Sequence, residues 1–209
     1  MNKMDKEVFV VPRKALFAER RCQGFVSVDD YDYRPLIMKS YVYKRRGDME
    51  QNPEYKQVIP YLLIANRKFR TFYLYRRASN VKDYSEKRLY GKYSIGTGGH
   101  IDREDEGDNP LMTNLRREMA EEIIFDSANE PGIRCIGFIN DDADPVGKVH
   151  FGVVYMVDTD SVLVSRNESE ANVGGMVSRE QFEEIKNSPD AVFETWSEFC
   201  LPALLKMLE

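Results

Sequence analysis

Gly98-Gly99-His100-Ile101 and, further on, Arg117-Glu118-Met119-Ala120-Glu121-Glu122 are the stretch that decides how this chain is read. A glycine pair precedes three glutamates spaced three and four residues apart. At helical spacing such residues lie on one side of the helix. Glu118, Glu121 and Glu122 then face one sector and can share a hard divalent cation such as Mg²⁺, which takes oxygen ligands. Glycines at 98 and 99 let the backbone approach a phosphate, or the same ion, closely. The combination points to metal-assisted chemistry on a phosphorylated substrate.

The helix can be laid out by angle. Leu111, Met112, Leu115, Met119 and Ile123 make one apolar stripe, centred roughly 70° from Leu111 at about 100° per residue. Glu122 falls on the edge of that stripe and Glu118 just outside it. A carboxylate pressed toward a core is unfavourable unless paired or metal-bound. Arg117 lies on the far side of the cluster, where it could orient Glu121. Asn109-Pro110 reads as an N-cap followed by proline at the first helical position, with Asp108 favouring the helix start through the dipole. The expected helix runs from Pro110 to Phe125.

On these residues the chain resembles the Nudix hydrolases, whose box reads G-x5-E-x7-R-E-U-x-E-E-x-G-U with U bulky and aliphatic. Arg117 to Glu122 matches the R-E-U-x-E-E half without a gap, Gly98-Gly99 matches the glycine turn, and Phe125 fills the last bulky place. Two departures stand out. Ile124 replaces the late glycine, so the helix should end differently. The middle glutamate is displaced: counting forward from Gly99 puts Asp105 in its place, and counting back from Arg117 puts Asn109 there. The loop Asp102–Asp108 is therefore four residues longer, and Asp105, Asp108 or neither substitutes.

The resemblance implies a fold and a set of roles. The fold would be α/β, a Nudix-like α/β/α sandwich with a mixed β-sheet and the box helix against one side. Glu121 and Glu122 would be the principal ligands of Mg²⁺ or Mn²⁺, and Glu118 a further ligand or the base that activates water. Arg117 would hold a glutamate in place, and the Gly98 carbonyl would join the metal site. Metal bridges phosphate oxygens and lowers the pKa of bound water, which then attacks a diphosphate linkage. Many members need a further acid from a distal loop; Glu168 and Glu170 are the candidates, with Glu170 favoured. Asp141, Asp142 and Asp144 form an alternative set, although DDADP reads first as a turn. His100, beside the glycine turn, either contacts phosphate or caps a strand end. His150 opens a strand and reads as structural.

The remaining sequence bounds the rest. A length of 209 residues suggests one compact unit, with residues 1–54 an N-terminal extension packed on a Nudix domain at 55–209. An apolar share of 42% suffices for a core. No run approaches the roughly 18 apolar residues of a membrane span, and no signal-type segment follows Met1. Cys22, Cys135 and Cys200 are odd in number and widely spaced, and read as reduced thiols in a cytoplasmic protein. A net charge of −5 argues against broad nucleic-acid binding and suits a phosphate enzyme only if metal supplies the positive charge. The expected partner is a small phosphorylated molecule; a homodimer is left open.

Expected strands are Glu7–Pro12, Lys56–Ala65, Phe69–Tyr75 as its hairpin partner across Asn66-Arg67-Lys68, Ile133–Ile139, His150–Val157 and a short one at Ser161–Ser165. Helices are expected at 178–187 and 192–208. Residues 13–54 resist assignment; 140–148 and Gly174-Gly175 read as loops. Segments 13–54 and 78–92 could form a specificity wall. The aromatic run Phe69–Tyr75 reads as core more than as a base-stacking platform. Two further functions compete with the hydrolase: a Nudix-type nucleotide sensor without turnover, and isomerisation of an isoprenoid diphosphate. The latter lacks a suitable cysteine near the glycine turn.

Overall fold

A computed structural model describes residues 2–77, 91–143, 145–166 and 171–209. The expectations placed on Asp144, Glu168 and Glu170, and on most of segment 78–92, fall outside these residues.

In chain order the elements are β1 (Glu7–Pro12), α1 (Arg13–Leu16), β2 (Gly24–Ser27), α2 (Arg34–Ser40), β3 (Val42–Arg45), α3 (Arg46–Met49), β4 (Tyr55–Asn66), β5 (Thr71–Arg77), β6 (Tyr93–Ser94) and β7 (Gly96–Gly98). There follow α4 (Pro110–Glu122), β8 (Ile123–Phe125), β9 (Gly132–Asn140), α5 (Pro145–Val149), β10 (His150–Asp158), β11 (Val164–Arg166), β12 (Ala171–Ser178), α6 (Arg179–Lys186) and α7 (Thr195–Leu208). The chain is thus the expected α/β fold with a mixed sheet. Among the described residues, no helix is long and apolar enough to cross a membrane.

The chain forms two compact units: Met1–Tyr61, Gly98–Glu118 and Cys135–Tyr155 make the first, and Leu62–Thr97, Met119–Arg134 and Met156–Glu209 the second. In the first unit β1 pairs antiparallel with both β3 and the start of β4, and β2 pairs antiparallel with β9. The apolar β1 and the start of β4 are almost wholly buried, as expected of strands covered on both faces. Tyr33 packs edge to face on both Phe138 and Phe151, the geometry that ring quadrupoles favour.

The first unit also buries a charge network. Lys56, fully buried, donates to Asp142 Oδ1 at 2.9 Å and to the Gly147 carbonyl at 2.7 Å. Arg13 and Arg21 donate to the same aspartate. Burial pulls the Lys56 ammonium down to about 8, against the pull of Asp142. Burial would raise the Asp142 carboxyl, but hydrogen bonds from Arg13, Lys56, Arg21 and Asn140 hold it well below the usual carboxylate range.

In the second unit β5 pairs antiparallel with the end of β4, with β6 and with β12. Phe72, Tyr73, Leu74 and Tyr75 are buried, so this aromatic run is core, as expected. Phe182 of α6 lies against Phe72 and Phe193. A capping box between Ser178 and Gln181 starts α6.

Several sequence expectations need correction. Helix α4 stops at Glu122 rather than Phe125: the β-branched pair Ile123-Ile124 pairs as strand with β11 instead. Strand β5 begins at Thr71, because Arg70 takes a φ of 54° and Phe69 donates its N–H to the Asn66 side chain, leaving Phe69 in the turn and exposed. Gly174-Gly175 is strand β12, not a loop. A Cβ at Gly174 would stand 2.5 Å from Tyr73 Oη, so glycine here admits the neighbouring tyrosine. Part of 140–148 forms α5, and 13–54 holds three short helices and two strands. The Asn109 cap is as expected: its side chain accepts from the Met112 N–H at 3.3 Å.

Candidate active site

The glycine turn closes β7. A Cβ on Gly98 would lie 2.2 Å from the Pro60 carbonyl oxygen, so backbone packs directly on backbone there. A Cβ on Gly99 would lie 2.3 Å from both Cδ and Oε1 of Glu118 and 2.5 Å from Oε2. The Glu118 carboxylate therefore occupies the space that a side chain at 99 would take. The positive-φ glycines are Gly24 and Gly91; space, not backbone conformation, requires glycine at 98 and 99.

Glu118 is held from its other side by Arg117, whose NH1 stands 3.0 Å from Glu118 Oε1. Arg117 is in turn fixed by Asp105, with Nε to Oδ1 and NH2 to Oδ2 both at 2.9 Å. This two-point match of guanidinium to carboxylate fixes direction as well as distance. Asp105 is 1% exposed. Asn114 donates to its Oδ2 at 3.0 Å and to the His100 carbonyl at 2.8 Å, and the Asp102 N–H donates to Oδ2 at 3.0 Å. Burial would raise the Asp105 carboxyl, but the bonds from Arg117, Asn114 and Asp102 hold it below the ordinary range. Of the candidates for the displaced box acid, Asp105 is the one tied to Arg117, while Asp108 is exposed. The forward count from Gly99 carried that signal; the loop's extra residues follow it.

In the second unit, Glu122 at the end of α4 accepts from the Thr97 hydroxyl and pairs with Arg166, NH2 to Oε2 at 2.8 Å. Arg166 NH1 also reaches Thr97 Oγ1 at 3.2 Å, and its guanidinium lies over the Tyr75 ring. The Arg166 side chain is 4% exposed, which makes its charge a strong local influence. Sequence reasoning passed over Arg166. Its signal is position: register places it opposite Ile123, the residue after Glu122. Glu121 is exposed.

His100, expected near phosphate or as a cap, is turned into the first unit. Its Nε2 stands 3.2 Å from His150 Nε2 and 4.0 Å from Glu50 Oε1. Burial, with Arg46, His150 and Lys3 nearby, holds His100 well below the usual imidazole range. Asp141 and Asp142, the alternative acid set, are engaged by Gln23 and by the Lys56 network respectively. Cys22 and Cys200 are buried free thiols and Cys135 is half-buried.

Comparison with known proteins supplies context. No family model matches the chain. Protein YmaB of Bacillus subtilis (strain 168) is 33% identical over 214 residues, covering 98% of this chain and all of that protein. The crystal structure of Tm1382, a candidate Nudix hydrolase, covers 97% of this chain and all of its own, with a TM-score of 0.75 at 23% identity. A bifunctional NMN adenylyltransferase/ADP-ribose pyrophosphatase from Francisella tularensis matches 87% of this chain over half its own length, with a TM-score of 0.50 at 13% identity.

Proposed function

This chain belongs to the family of Bacillus subtilis protein YmaB and is built on the Nudix fold, and from that premise we propose that it is a Mg²⁺- or Mn²⁺-dependent hydrolase. It cleaves the diphosphate linkage of a nucleoside diphosphate derivative or a related organic pyrophosphate. The observation that carries this reading is the relay Asp105–Arg117–Glu118, which sets one carboxylate under Gly99 where a Cβ would collide with it. A purely solvated acidic helix has no use for a buried aspartate that aims an arginine at one of its glutamates.

The same cradle tests the fit of a metal. Glu118, Glu121 and Glu122 offer only oxygen, the donor a hard divalent ion takes, and the glycine turn keeps the space at Glu118 free of side chains. These glutamates and the Gly98 carbonyl would hold the ion. When bound, it supplies charge neutralisation of the phosphate oxygens and a more acidic water. The chain's own residues do the rest. Arg117 keeps Glu118 aimed; Glu118 would hold the ion, or accept a hydrogen bond from the attacking water and orient it. Gly99 leaves to the Glu118 carboxylate the space that a side chain would fill. Glu170 remains the proposed further acid.

One observation favours a second reading. The ion pair of Glu122 with Arg166 already satisfies a carboxylate that the hydrolase needs for metal, which suits a module that binds a nucleotide without turnover. A panel of organic pyrophosphates separates the two: ADP-ribose, NADH, dinucleoside polyphosphates, nucleoside triphosphates and CoA, each with Mg²⁺ and with Mn²⁺, beside Glu118→Gln and Glu122→Gln. Metal-dependent cleavage of one compound, lost in both variants, supports the hydrolase. No turnover, with a nucleotide still raising the melting temperature, supports the sensor.

A further inference from the structure

We propose that Glu50, His100 and His150 form a binding site for a first-row transition ion of the Zn²⁺ class, separate from the carboxylates of α4. The three residues come from distant parts of the first unit: the end of α3, the residue after the glycine turn, and the first residue of β10. One ligand atom from each lies within 4.8 Å of the others. The two imidazole Nε2 atoms are 3.2 Å apart. Two nitrogens on a tetrahedral zinc stand roughly 3.3–3.4 Å apart, given Zn–N of about 2.0–2.1 Å, so this hydrogen-bonded pair need move little to take an ion. The rings meet edge to face, at 79°.

Hydrogen bonding sets His150 for the task. Its Nδ1 faces the Val146 carbonyl at 2.8 Å. A carbonyl only accepts, so Nδ1 carries the hydrogen and Nε2 presents its lone pair toward His100. A ligating histidine typically has this arrangement, one ring nitrogen donating to a fixed acceptor and the other on the metal. Glu50 is steadied by Arg46, whose Nε donates to Oε1 at 3.0 Å, leaving Oε2 as the second oxygen the carboxylate can offer. His150 is buried and the other two are half-buried, so solvent competes weakly for the ion.

Donor chemistry selects the ion. Two imidazoles and one carboxylate suit zinc, cobalt or nickel; Mg²⁺ prefers an all-oxygen shell. This distinguishes the site from the glutamates of α4 without appeal to activity. Joining the residue after the glycine turn to α3 and β10, the ion would stiffen the turn that frames Glu118. The proposal does not depend on the hydrolase reading, and its test does not use turnover.

The test uses the full chain, stripped with a chelator and then given Zn²⁺, Co²⁺ or Mg²⁺ alone. Bound metal per chain, the visible absorption of Co²⁺ and the melting temperature are read for wild type, His150→Gln, Glu50→Gln and Glu118→Gln. The expected result is one Zn²⁺ or Co²⁺ per chain, a ligand-field spectrum of imidazole-bound Co²⁺, and a raised melting temperature that Mg²⁺ does not reproduce. Glu118→Gln should keep all of these. His150→Gln should abolish them, and Glu50→Gln, which removes a ligand carboxylate, should weaken affinity by at least the roughly 10–100-fold that loss of an outer-shell partner costs. Should His150→Gln fail to fold, the half-exposed Glu50 variant decides alone. Zinc binding absent in wild type, or equal in wild type and Glu50→Gln, overturns the assignment.

Discussion

Replacing Gly99 by alanine separates positioning from stability. The new Cβ would lie 2.3 Å from Glu118 Cδ, where non-bonded carbons prefer about 3.5–4.0 Å. One partner has to move by more than about 1 Å. The obstructing atoms are the end of a flexible side chain, so Glu118 swings away and the backbone stays. Alanine also restricts the unfolded chain, by about 0.4–1 kcal/mol in favour of folding. Stability should thus change by no more than about 1 kcal/mol. Displacing a reacting carboxylate by about 1 Å is expected to lower kcat/KM by about a hundredfold, roughly 2.7 kcal/mol of barrier. Gly98→Ala is the contrast: its Cβ would meet the Pro60 carbonyl at 2.2 Å, and backbone cannot step aside. That variant should lose about 1–3 kcal/mol or more of stability. The assays are urea unfolding for both and pyrophosphate hydrolysis with Mg²⁺ for Gly99→Ala. A Gly99→Ala enzyme within about threefold of wild-type kcat/KM, or one as destabilised as Gly98→Ala, would refute the cradle.

Other expectations follow from the same contacts. Asp105→Asn removes the two-point acceptor of Arg117, which keeps Glu118 as its remaining counter-charge, and should cost about 1–3 kcal/mol in urea unfolding; a loss below about 0.5 kcal/mol contradicts the relay. Asp105 has a folded pKa below its unfolded one, so its contribution is complete above the ordinary carboxylate range and fades as pH falls through the lowered value. Wild type should therefore lose its advantage over Asp105→Asn in acid, as read from melting temperatures across pH. Lys56 behaves in the opposite sense. Its folded value near 8 lies below the 10.5 of a free lysine, so unfolding takes up a proton between these values and stability rises with pH across that window. The gain should be missing in Lys56→Met; a parallel pH profile in the variant counts against a strongly buried ammonium. Arg166→Gln removes the charged partner of Glu122 and should tighten Mg²⁺ binding measured by calorimetry; unchanged affinity would mean that Arg166 does not compete with the ion.

Much of this was legible before any coordinates, and the reasons are physical. The β4 segment and the aromatic run of β5 announce themselves because buried strands need continuous apolar sequence. Asn109-Pro110 marks the start of α4 because caps are local chemistry. The end of α4 was not legible. Ile123-Ile124 fits the apolar stripe as a helix, and only the distant β11 decides for strand. The same holds for β12, where paired glycines signal a loop until Tyr73 is seen to need the space. In the site, the spacing of Glu118, Glu121 and Glu122 is local and was read directly. Asp105 came from one of two counts, and its bond to Arg117 depends on a fold that the count does not describe. Arg166, Lys56 and the meeting of His100, His150 and Glu50 depend on contacts across long stretches of chain, which no spacing rule reaches.

The central claim is that the carboxylate set on α4, framed by Gly98-Gly99, runs metal-dependent cleavage of a diphosphate. It is tested most directly by following product release from the pyrophosphate panel with Mg²⁺ or Mn²⁺ for wild type and Glu118→Gln side by side. The account predicts cleavage of at least one compound that needs the ion and falls by orders of magnitude in the variant, with the fold intact by circular dichroism. Turnover that persists in Glu118→Gln, or that proceeds equally well in chelator, would contradict it.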